Sequence, residues 1–399
     1  MATVQSLIES RTTRAAVVLP LCAAIALIDG FDTQAIGPAA PLIARSLMLT
    51  PGSVGTMFSA SQAGFLIGSI LFGMLGDRLG RKRVLVLTGM LFAAATLATA
   101  LAGSLSALIA CRAAAGIGLG GATPNFVSLA AEFSKPERRA RVITMLWAAV
   151  PFGGMLGSFA SARLIPNLGW QSVFVLGAAL PVPVIALILS AMPESAETKR
   201  GTPTKVGELF KADMISATLL LWLCSLMVWT SLVVSALWMP SLLQGAGWST
   251  PAAATMLAAS NAGGVLGTLG AGVLIGRFAP ARALAILLAC AVLFDLVLGA
   301  AVSSPLLFAA AALAAGVCSS AAAGALLATS SGLYAKELRS TGVGWALGVG
   351  RTGTVVGPIG VGLLVQAGHG ASIVFFLIGL LALLGAAAAH QLNGRHAHH

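Results

Sequence analysis

Charged side chains are scarce in this chain of 399 residues, of which only 9% are Asp, Glu, Lys or Arg. Acidic residues number only 12, and there is a single tyrosine. Hydrophobic residues make up 58% of the chain, and the mean hydropathy is +0.95. So few charges exclude both an ordinary soluble domain and a disordered chain. The composition therefore indicates an integral membrane protein.

Paired cysteines and metal-binding clusters are also missing. Each of the five cysteines lies inside an apolar stretch, and none belongs to a CxxC pair. Such cysteines are typical of small buried side chains rather than of disulfides or metal ligands. No arrangement of nucleophile and base is evident, and no polar domain is appended. We therefore expect neither a membrane enzyme nor a sensor, and we predict no metal and no cofactor.

Twelve apolar runs, each long enough for the roughly 20 helical residues that cross a bilayer, follow one another along the chain. A polar stretch divides them into two sets of six. We predict an all-α membrane protein with twelve transmembrane helices in two pseudo-symmetric six-helix bundles, 15–192 and 215–392, joined by a cytoplasmic linker, 193–214. The runs cover 15–42, 54–76, 84–103, 106–131, 141–163, 170–192, 215–240, 251–276, 282–302, 305–331, 341–365 and 371–391.

The basic residues predict the orientation, because cytoplasmic loops collect Lys and Arg. With the N-terminus inside, all of the 23 Lys and Arg residues except four fall on the inner side. Arg45 and Arg163 lie outside, and Arg112 and Arg351 lie within apolar runs. Both termini are therefore predicted to be cytoplasmic. The net charge of +11 is explained by topology, and no nucleic acid partner is expected.

The two halves repeat at an offset of 199–200 residues. The matching segments include Ser59 to Gly64 with Ala258 to Gly263, and Gly68 with Gly267. Copies separated by six helices share one orientation, as in the parallel repeats of major facilitator halves. Three charged residues within the apolar runs have no charged counterpart in the other half. At the repeat offset, Asp29 and Asp32 correspond to Val228 and Ser231, and Arg351 corresponds to Pro151. We look for the chemistry at these unrepeated residues.

Asp29 and Asp32 lie near the centre of the first apolar run. An Asp there costs about 2.5–3.5 kcal/mol on insertion scales, so buried membrane acids usually have a function. Their i, i+3 spacing places both on one helical face, and Gly30 between them removes bulk. We interpret Asp29 and Asp32 as proton-coupling residues. The alternative is that one of them caps a broken helix.

The inner loop between the second and third runs reads Gly73-Met-Leu-Gly76-Asp77-Arg78-Leu79-Gly80-Arg81-Lys82-Arg83. Its glycines permit a tight turn and close helix contact. Asp77 suits the positive N-terminal end of a neighbouring helix. We interpret Gly73, Asp77, Arg78, Gly80 and Arg81 as a conformational latch. A plain anchor loop would explain the basic residues but neither Asp77 nor the glycine spacing.

Arg112 precedes Gly116, Gly118 and Gly121 in the fourth run. A buried guanidinium needs a partner, so we assign Arg112 to proton coupling or substrate binding; the alternative is that it snorkels to the outer surface. The glycines fit GxGxxG, as do Gly348, Gly350 and Gly353. Because neither set follows a strand, we reject dinucleotide binding and predict helix-packing glycines.

Arg351 lies about ten residues, or ~15 Å, into the eleventh run, close to the bilayer midplane. A fixed cation there suits a carboxylate substrate held in bidentate fashion; an internal salt bridge is the alternative. The predicted substrate-binding residues are Arg351, Gln34, Gln62, Asn261, Trp238 and Arg112. Trp229 or Trp238 could stack on an aromatic ligand. For Asp295 in the ninth run the sequence offers no account, since a carboxylate facing lipid would be costly.

Several motifs together resemble the aromatic acid:proton symporter family of the major facilitator superfamily over nearly the whole chain. They are Asp29-Gly30-Phe31-Asp32, the inner loop, Arg112 to Gly121, Met192-Pro193-Glu194-Ser195, and Arg339 to Arg351. The compact length and the run Thr218 to Cys224 are similar to the 3-(3-hydroxyphenyl)propionate transporter branch. In the second copy of the inner loop, Gly276 replaces the aspartate.

The resemblance implies a monomer in the bacterial inner membrane that imports an aromatic acid anion together with a proton. By matching motif positions, it also implies functional roles for Asp29, Asp32, Arg112 and Arg351. The alternative function on the same fold is a drug:proton antiporter. A cation at the centre of the membrane suits anions better than lipophilic amines, so Arg351 argues against that alternative.

Overall fold

The computed structural model describes residues 2–193, 209–210, 214–335 and 338–396, which fold almost entirely into helices. Twelve helical segments of this described part are long and apolar enough to cross a membrane, with α6 and α7 together forming one of them. The helices are α1 (Ala2–Ser46), α2 (Pro51–Leu79), α3 (Arg81–Ala100), α4 (Leu105–Glu132), α5 (Arg139–Leu168), α6 (Gln171–Ala179), α7 (Pro181–Ala191), α8 (Ile215–Gly245), α9 (Thr250–Arg277), α10 (Pro280–Ala300), α11 (Pro305–Leu333), α12 (Arg339–Gln366) and α13 (Ala371–His396).

The observed spans confirm the predicted all-helical membrane fold. The predicted runs 305–331 and 170–192 differ by no more than two residues at either end from the segments Pro305–Leu333 and Gln171–Ala191. Large apolar side chains remain exposed on these helices, among them Val273 at 74% and Val356 at 66%. Such exposure suits a surface that faces lipid rather than water.

Local sequence explains where the helices begin and turn. Ser104 caps α4 by accepting a hydrogen bond from the Ala107 amide, and Ser249 caps α9 in the same way. Gly80 separates α2 from α3 with a φ of 87°, a conformation that residues with a Cβ rarely adopt. The tight turn predicted for the inner loop is therefore confirmed at Gly80.

The described chain forms two compact units. The first contains Met1–Leu47 and Ala60–Lys199, and the second contains Met48–Ser59 and Arg200–His399. The predicted bundle boundaries, 15–192 and 215–392, remain a prediction. The two units differ from them at residues 48–59, which belong to the second unit. Most of the predicted linker, 193–214, lies outside the described residues.

Glycines let the helices of the first unit touch backbone to backbone. A methyl group on Gly30 of α1 would overlap the carbonyl oxygen of Val150 on α5, and one on Gly64 of α2 would overlap that of Ala113 on α4. Gly116 meets Ser61 in the reverse direction. Small residues at such crossings allow close approach, which drives helix association in membranes.

The second unit repeats these contacts at the offset found in the sequence. Gly263 and Gly267 of α9 lie against the Leu313 and Val317 carbonyl groups of α11, and Gly316 lies against Ser260. These glycines correspond to Gly64, Gly68 and Gly116 in the first unit. The two halves therefore share a specific helix–helix contact as well as sequence similarity.

The first turns of α2 belong to the second unit, where they pack on α12. Gly55 lies against the Pro358 carbonyl, and Gly362 lies against Pro51. The Ser59 hydroxyl donates to the Val355 carbonyl at 2.5 Å, and the Gly52 amide donates to the Gln366 side chain at 3.2 Å. Residues 48–59 are thus fixed to a helix about 300 positions further along the chain.

Candidate functional site

Arg112 and Asp32 form a buried ion pair in the first unit. The guanidinium donates to both carboxylate oxygens of Asp32, with distances of 3.1 and 2.5 Å. The Nε atom of Arg112 donates to the Ser61 hydroxyl at 3.1 Å, and its guanidinium carbon lies 5.7 Å from the centroid of the Phe174 ring. Arg112 is 1% exposed and Asp32 is 2% exposed. The alternative that Arg112 snorkels to the surface is therefore wrong.

Asp29 lies one turn before Asp32 on the same continuous helix. It is 7% exposed and accepts a hydrogen bond from Thr33 at 3.5 Å. Since α1 runs unbroken from Ala2 to Ser46, the alternative that either acid caps a broken helix is also wrong. Gly30 lies between the acids, at the crossing of α1 with α5. The glycine predicted to remove bulk thus gives α5 room to approach the acid pair.

Gln34 and Gln62, both predicted to contact substrate, are buried in the first unit. Gln34 is 9% exposed, and its Oε1 atom has no hydrogen-bond partner among the described residues. Gln62 is 7% exposed on α2, next to Ser61, which binds Arg112. Gln34 thus lies two residues after Asp32 on α1, and Gln62 directly follows Ser61 on α2.

Arg351 lies in the second unit over an aromatic ring. Its guanidinium carbon is 4.5 Å from the centroid of Trp229 on α8, within the range of a cation–π contact. The side chain is partly exposed and lies about 15 Å along the span that begins at Thr341. An aromatic face and a fixed cation therefore lie together in the second unit.

Two other predicted substrate residues have partners within the protein. Trp238 is 2% exposed, donates from Nε1 to the Pro358 carbonyl at 3.2 Å, and packs edge-on against Phe58. Asn261 donates to the Leu257 carbonyl of its own helix at 3.0 Å. Of the two tryptophans considered as stacking partners, Trp229 is the one beside Arg351.

In the inner loop, Arg81 lies between two acidic side chains, of which the sequence analysis identified only Asp77. Arg81 lies 4.0 Å from Asp77 and 2.8 Å from Glu132 at the end of α4. Glu132 was not predicted, although an acid directly after the apolar run 106–131 is a usable signal. Gly73 packs on the Pro124 side chain, and Arg78 lies in the last turn of α2.

The glycines predicted to pack helices do so with one exception. Gly118 meets Phe92 and Thr88, Gly121 meets Phe72, and Gly350 and Gly353 lie against α8. Gly348 has no neighbour within 4 Å of the position of an added Cβ, so the prediction is wrong there.

Asp295 on α10 is 3% exposed and faces the backbone of α13 at Gly379. In the described part of the chain it has no ion-pair or hydrogen-bond partner. Asp295, for which the sequence offered no account, therefore packs against a neighbouring helix and does not face lipid.

The chain is similar to one known protein family, to several named transporters and to solved structures. The family described as Major Facilitator Superfamily matches residues 22–298. The "3-(3-hydroxy-phenyl)propionate transporter" of Escherichia coli (strain K12) is 36% identical, over 91% of this chain and 90% of the relative. The "Gallate transporter" of Pseudomonas putida is 34% identical, over 94% and 91%. The "4-hydroxybenzoate transporter PcaK" of Acinetobacter baylyi is 32% identical, over 86% and 84%.

Among solved structures, a crystal structure of a D-xylose-proton symporter superposes with a TM-score of 0.80, covering 94% of this chain and 97% of that one. Its sequence is only 16% identical, so this likeness concerns the fold alone.

Proposed function

Since this chain belongs to the Major Facilitator Superfamily, we propose that it is a proton-coupled transporter that imports an aromatic carboxylate by alternating access. Its relatives named above transport hydroxylated aromatic acids. The chain is a multi-pass membrane protein, and its family consists of transporters rather than enzymes. In this proposal it acts as a monomer in the bacterial inner membrane, with both termini in the cytoplasm.

The contact between Arg351 and Trp229 is the observation that carries the choice of substrate. A guanidinium binds a carboxylate through two parallel hydrogen bonds, and a lysine cannot reproduce that fork. The indole beside it offers an apolar, polarisable surface to an aromatic ring. Both groups lie within one unit, 4.5 Å apart. A lipophilic amine, the substrate of a drug:proton antiporter, would be repelled by the same guanidinium.

Proton coupling is assigned to Asp29, Asp32 and Arg112. A proton on Asp32 would remove its negative charge and weaken the bidentate bond to Arg112. Arg112 would then be a buried cation without a counter-charge, which is unfavourable in a low-dielectric interior. Protonation and the opening of this ion pair are therefore linked. Asp29, one turn away on α1, places a second buried carboxylate beside this pair.

Uptake into proteoliposomes tests the proposal. The purified protein is reconstituted, and uptake of radiolabelled 4-hydroxybenzoate and 3-(3-hydroxyphenyl)propionate is followed with an inward proton gradient. We expect accumulation above the external concentration, and we expect a protonophore to abolish it. Arg351→Lys should lose both binding and uptake, because it keeps the charge but not the planar fork. Extrusion of a lipophilic amine without uptake of either acid would replace the proposal with the antiporter.

A further inference from the structure

Two hydrogen-bonding atoms beside Arg351 are buried without a hydrogen-bond partner in the described part of the chain. They are the Ser225 hydroxyl and the Trp229 indole nitrogen, which lie one turn apart on α8. Ser225 is fully buried, at 0% exposed. Buried polar groups in folded proteins are almost always hydrogen-bonded, and leaving one unpaired is unfavourable. Two unpaired polar groups one turn apart, the Ser225 hydroxyl and the Trp229 N–H, therefore need an explanation.

The hydroxyl of Thr230 shows that the backbone of α8 could have supplied a partner. A Ser or Thr within a helix commonly donates to the carbonyl four residues earlier. Thr230 does so, donating to the Leu226 carbonyl at 2.6 Å. Ser225 lies on the same helix and makes no such bond in the described structure. Its hydroxyl instead points to the surface where α12 packs.

The surroundings of the two atoms are built from α12. An added Cβ on Gly350 would overlap the Ser225 hydroxyl and would approach Cδ1 of Trp229, the atom bonded to the indole nitrogen. Both unpaired atoms therefore lie against Gly350. The next residue, Arg351, places its guanidinium over the face of the same indole. The Ser225 hydroxyl and the Trp229 N–H of α8 therefore lie next to the Arg351 guanidinium of α12. Gly350 has no side chain to fill the space between them.

We propose that Ser225 and Trp229 bind a phenolic hydroxyl of the transported acid, so that this protein selects hydroxylated aromatic acids over unsubstituted ones. A phenol is the matching group, because its oxygen accepts from the indole N–H and its proton is donated to the serine oxygen. Arg351 holds the carboxylate of the same molecule. The inference rests on the proposed function, since it concerns a substrate of that transport.

Selection for a substrate hydroxyl follows from the cost of leaving buried polar groups unpaired. A site built to hydrogen-bond a hydroxyl discriminates against the analogue that lacks it, since its own polar groups then stay unpaired. The two donors are covered in the present conformation. The residues around Gly350 must therefore separate from α8 when the hydroxyl binds, and the new hydrogen bonds favour that separation.

The test compares ligands that differ by one hydroxyl. Binding of benzoate and of 2-, 3- and 4-hydroxybenzoate to the purified full-length protein is measured by isothermal titration calorimetry. We expect the best hydroxylated isomer to bind about tenfold more tightly than benzoate, the effect of one well-made hydrogen bond to a buried group. This comparison uses the wild-type protein and needs no variant to fold.

Variants then locate the contact. Ser225→Ala removes the hydroxyl with little change in side-chain volume, and Trp229→Phe removes the indole N–H together with part of the ring. Ser225→Ala should weaken binding of the best hydroxybenzoate about three- to tenfold and change benzoate binding less than twofold. Trp229→Phe also loses ring surface beside Arg351, so it should weaken binding of both ligands, and that of the hydroxybenzoate by the larger factor. Trp248→Phe is the matched control, because its indole already donates to the Val302 carbonyl and it is not among the predicted substrate-binding residues. It should leave the preference for the hydroxyl unchanged.

The outcomes separate the inference from the proposed function. Equal affinities for benzoate and all three isomers, or equal losses for both ligand classes in the variants, would overturn the inference while aromatic acid transport stands. If none of the four acids binds, and the proteoliposomes accumulate neither acid, the proposed function itself fails.

Discussion

At the scale of single residues, the Asp32–Arg112 pair predicts a linked loss of stability and coupling. Asp32→Asn keeps the side-chain shape but leaves a buried guanidinium without its counter-charge, which typically costs about 3–5 kcal/mol. We expect a lower melting temperature and no uphill uptake driven by a proton gradient. Counterflow exchange of preloaded substrate should persist in the folded fraction, because exchange needs no net proton movement.

Asp295→Asn is the matched control for that variant. It is the same substitution at another buried acid, but Asp295 has no ion-pair partner in the described chain. Stability and accumulation should stay near wild type. If Asp29→Asn and Asp32→Asn both still accumulate substrate and Asp295→Asn does not, the proton carrier is Asp295.

The inner loop makes a different prediction, because its acid is partly exposed. The Asp77 side chain is 44% exposed and lies 4.0 Å from Arg81, whereas Glu132 lies 2.8 Å from Arg81. Asp77→Asn should therefore leave folding and substrate binding intact while slowing transport, as expected of a latch between conformations. Accessibility labelling on the inner side should increase. Normal transport with unchanged labelling would exclude a latch at Asp77.

At the scale of elements, the repeated glycine crossings predict opposite effects of one substitution on the same helix. Gly267→Ala on α9 would drive a methyl group into the Val317 carbonyl of α11, so it should lower the melting temperature. Gly272→Ala on the same helix meets nothing within 4 Å and should be neutral or stabilising, since Ala favours a helix by about 1 kcal/mol over Gly. Equal effects of the two changes would mean that the crossing tolerates a Cβ.

Sequence alone predicted these elements well and their pairings poorly. Hydropathy and length fix where a membrane helix lies, so the spans agree within a few residues. The bond between Asp32 and Arg112 joins positions 80 residues apart, and no local pattern encodes which buried acid a buried base meets. For the same reason the sequence did not place Glu132 beside Arg81, or Trp229 rather than Trp238 beside Arg351. The unpaired Ser225 hydroxyl is likewise visible only once α12 is packed on α8.

At the scale of the whole molecule, the distribution of basic residues predicts the topology. Alkaline phosphatase is active only outside the cytoplasm. Fusions after Leu49 or Ser303 should therefore be active, and fusions after Lys82 or Lys205 should be inactive. The reverse pattern would overturn the assignment of both termini to the cytoplasm and the inner position of the Asp77 loop.

The attachment of residues 48–59 to α12 has a consequence for synthesis and for the ancestry of the repeat. Ser59 reaches the membrane long before Val355, its partner 296 residues later, has been translated. The first turns of α2 must therefore wait for their packing surface until nearly the whole chain has left the ribosome. A gene fragment that encodes only the second half would lack these turns and leave Pro358 and Gly362 uncovered. Present-day halves are thus no longer interchangeable copies, even though their glycine crossings still record a duplicated ancestor.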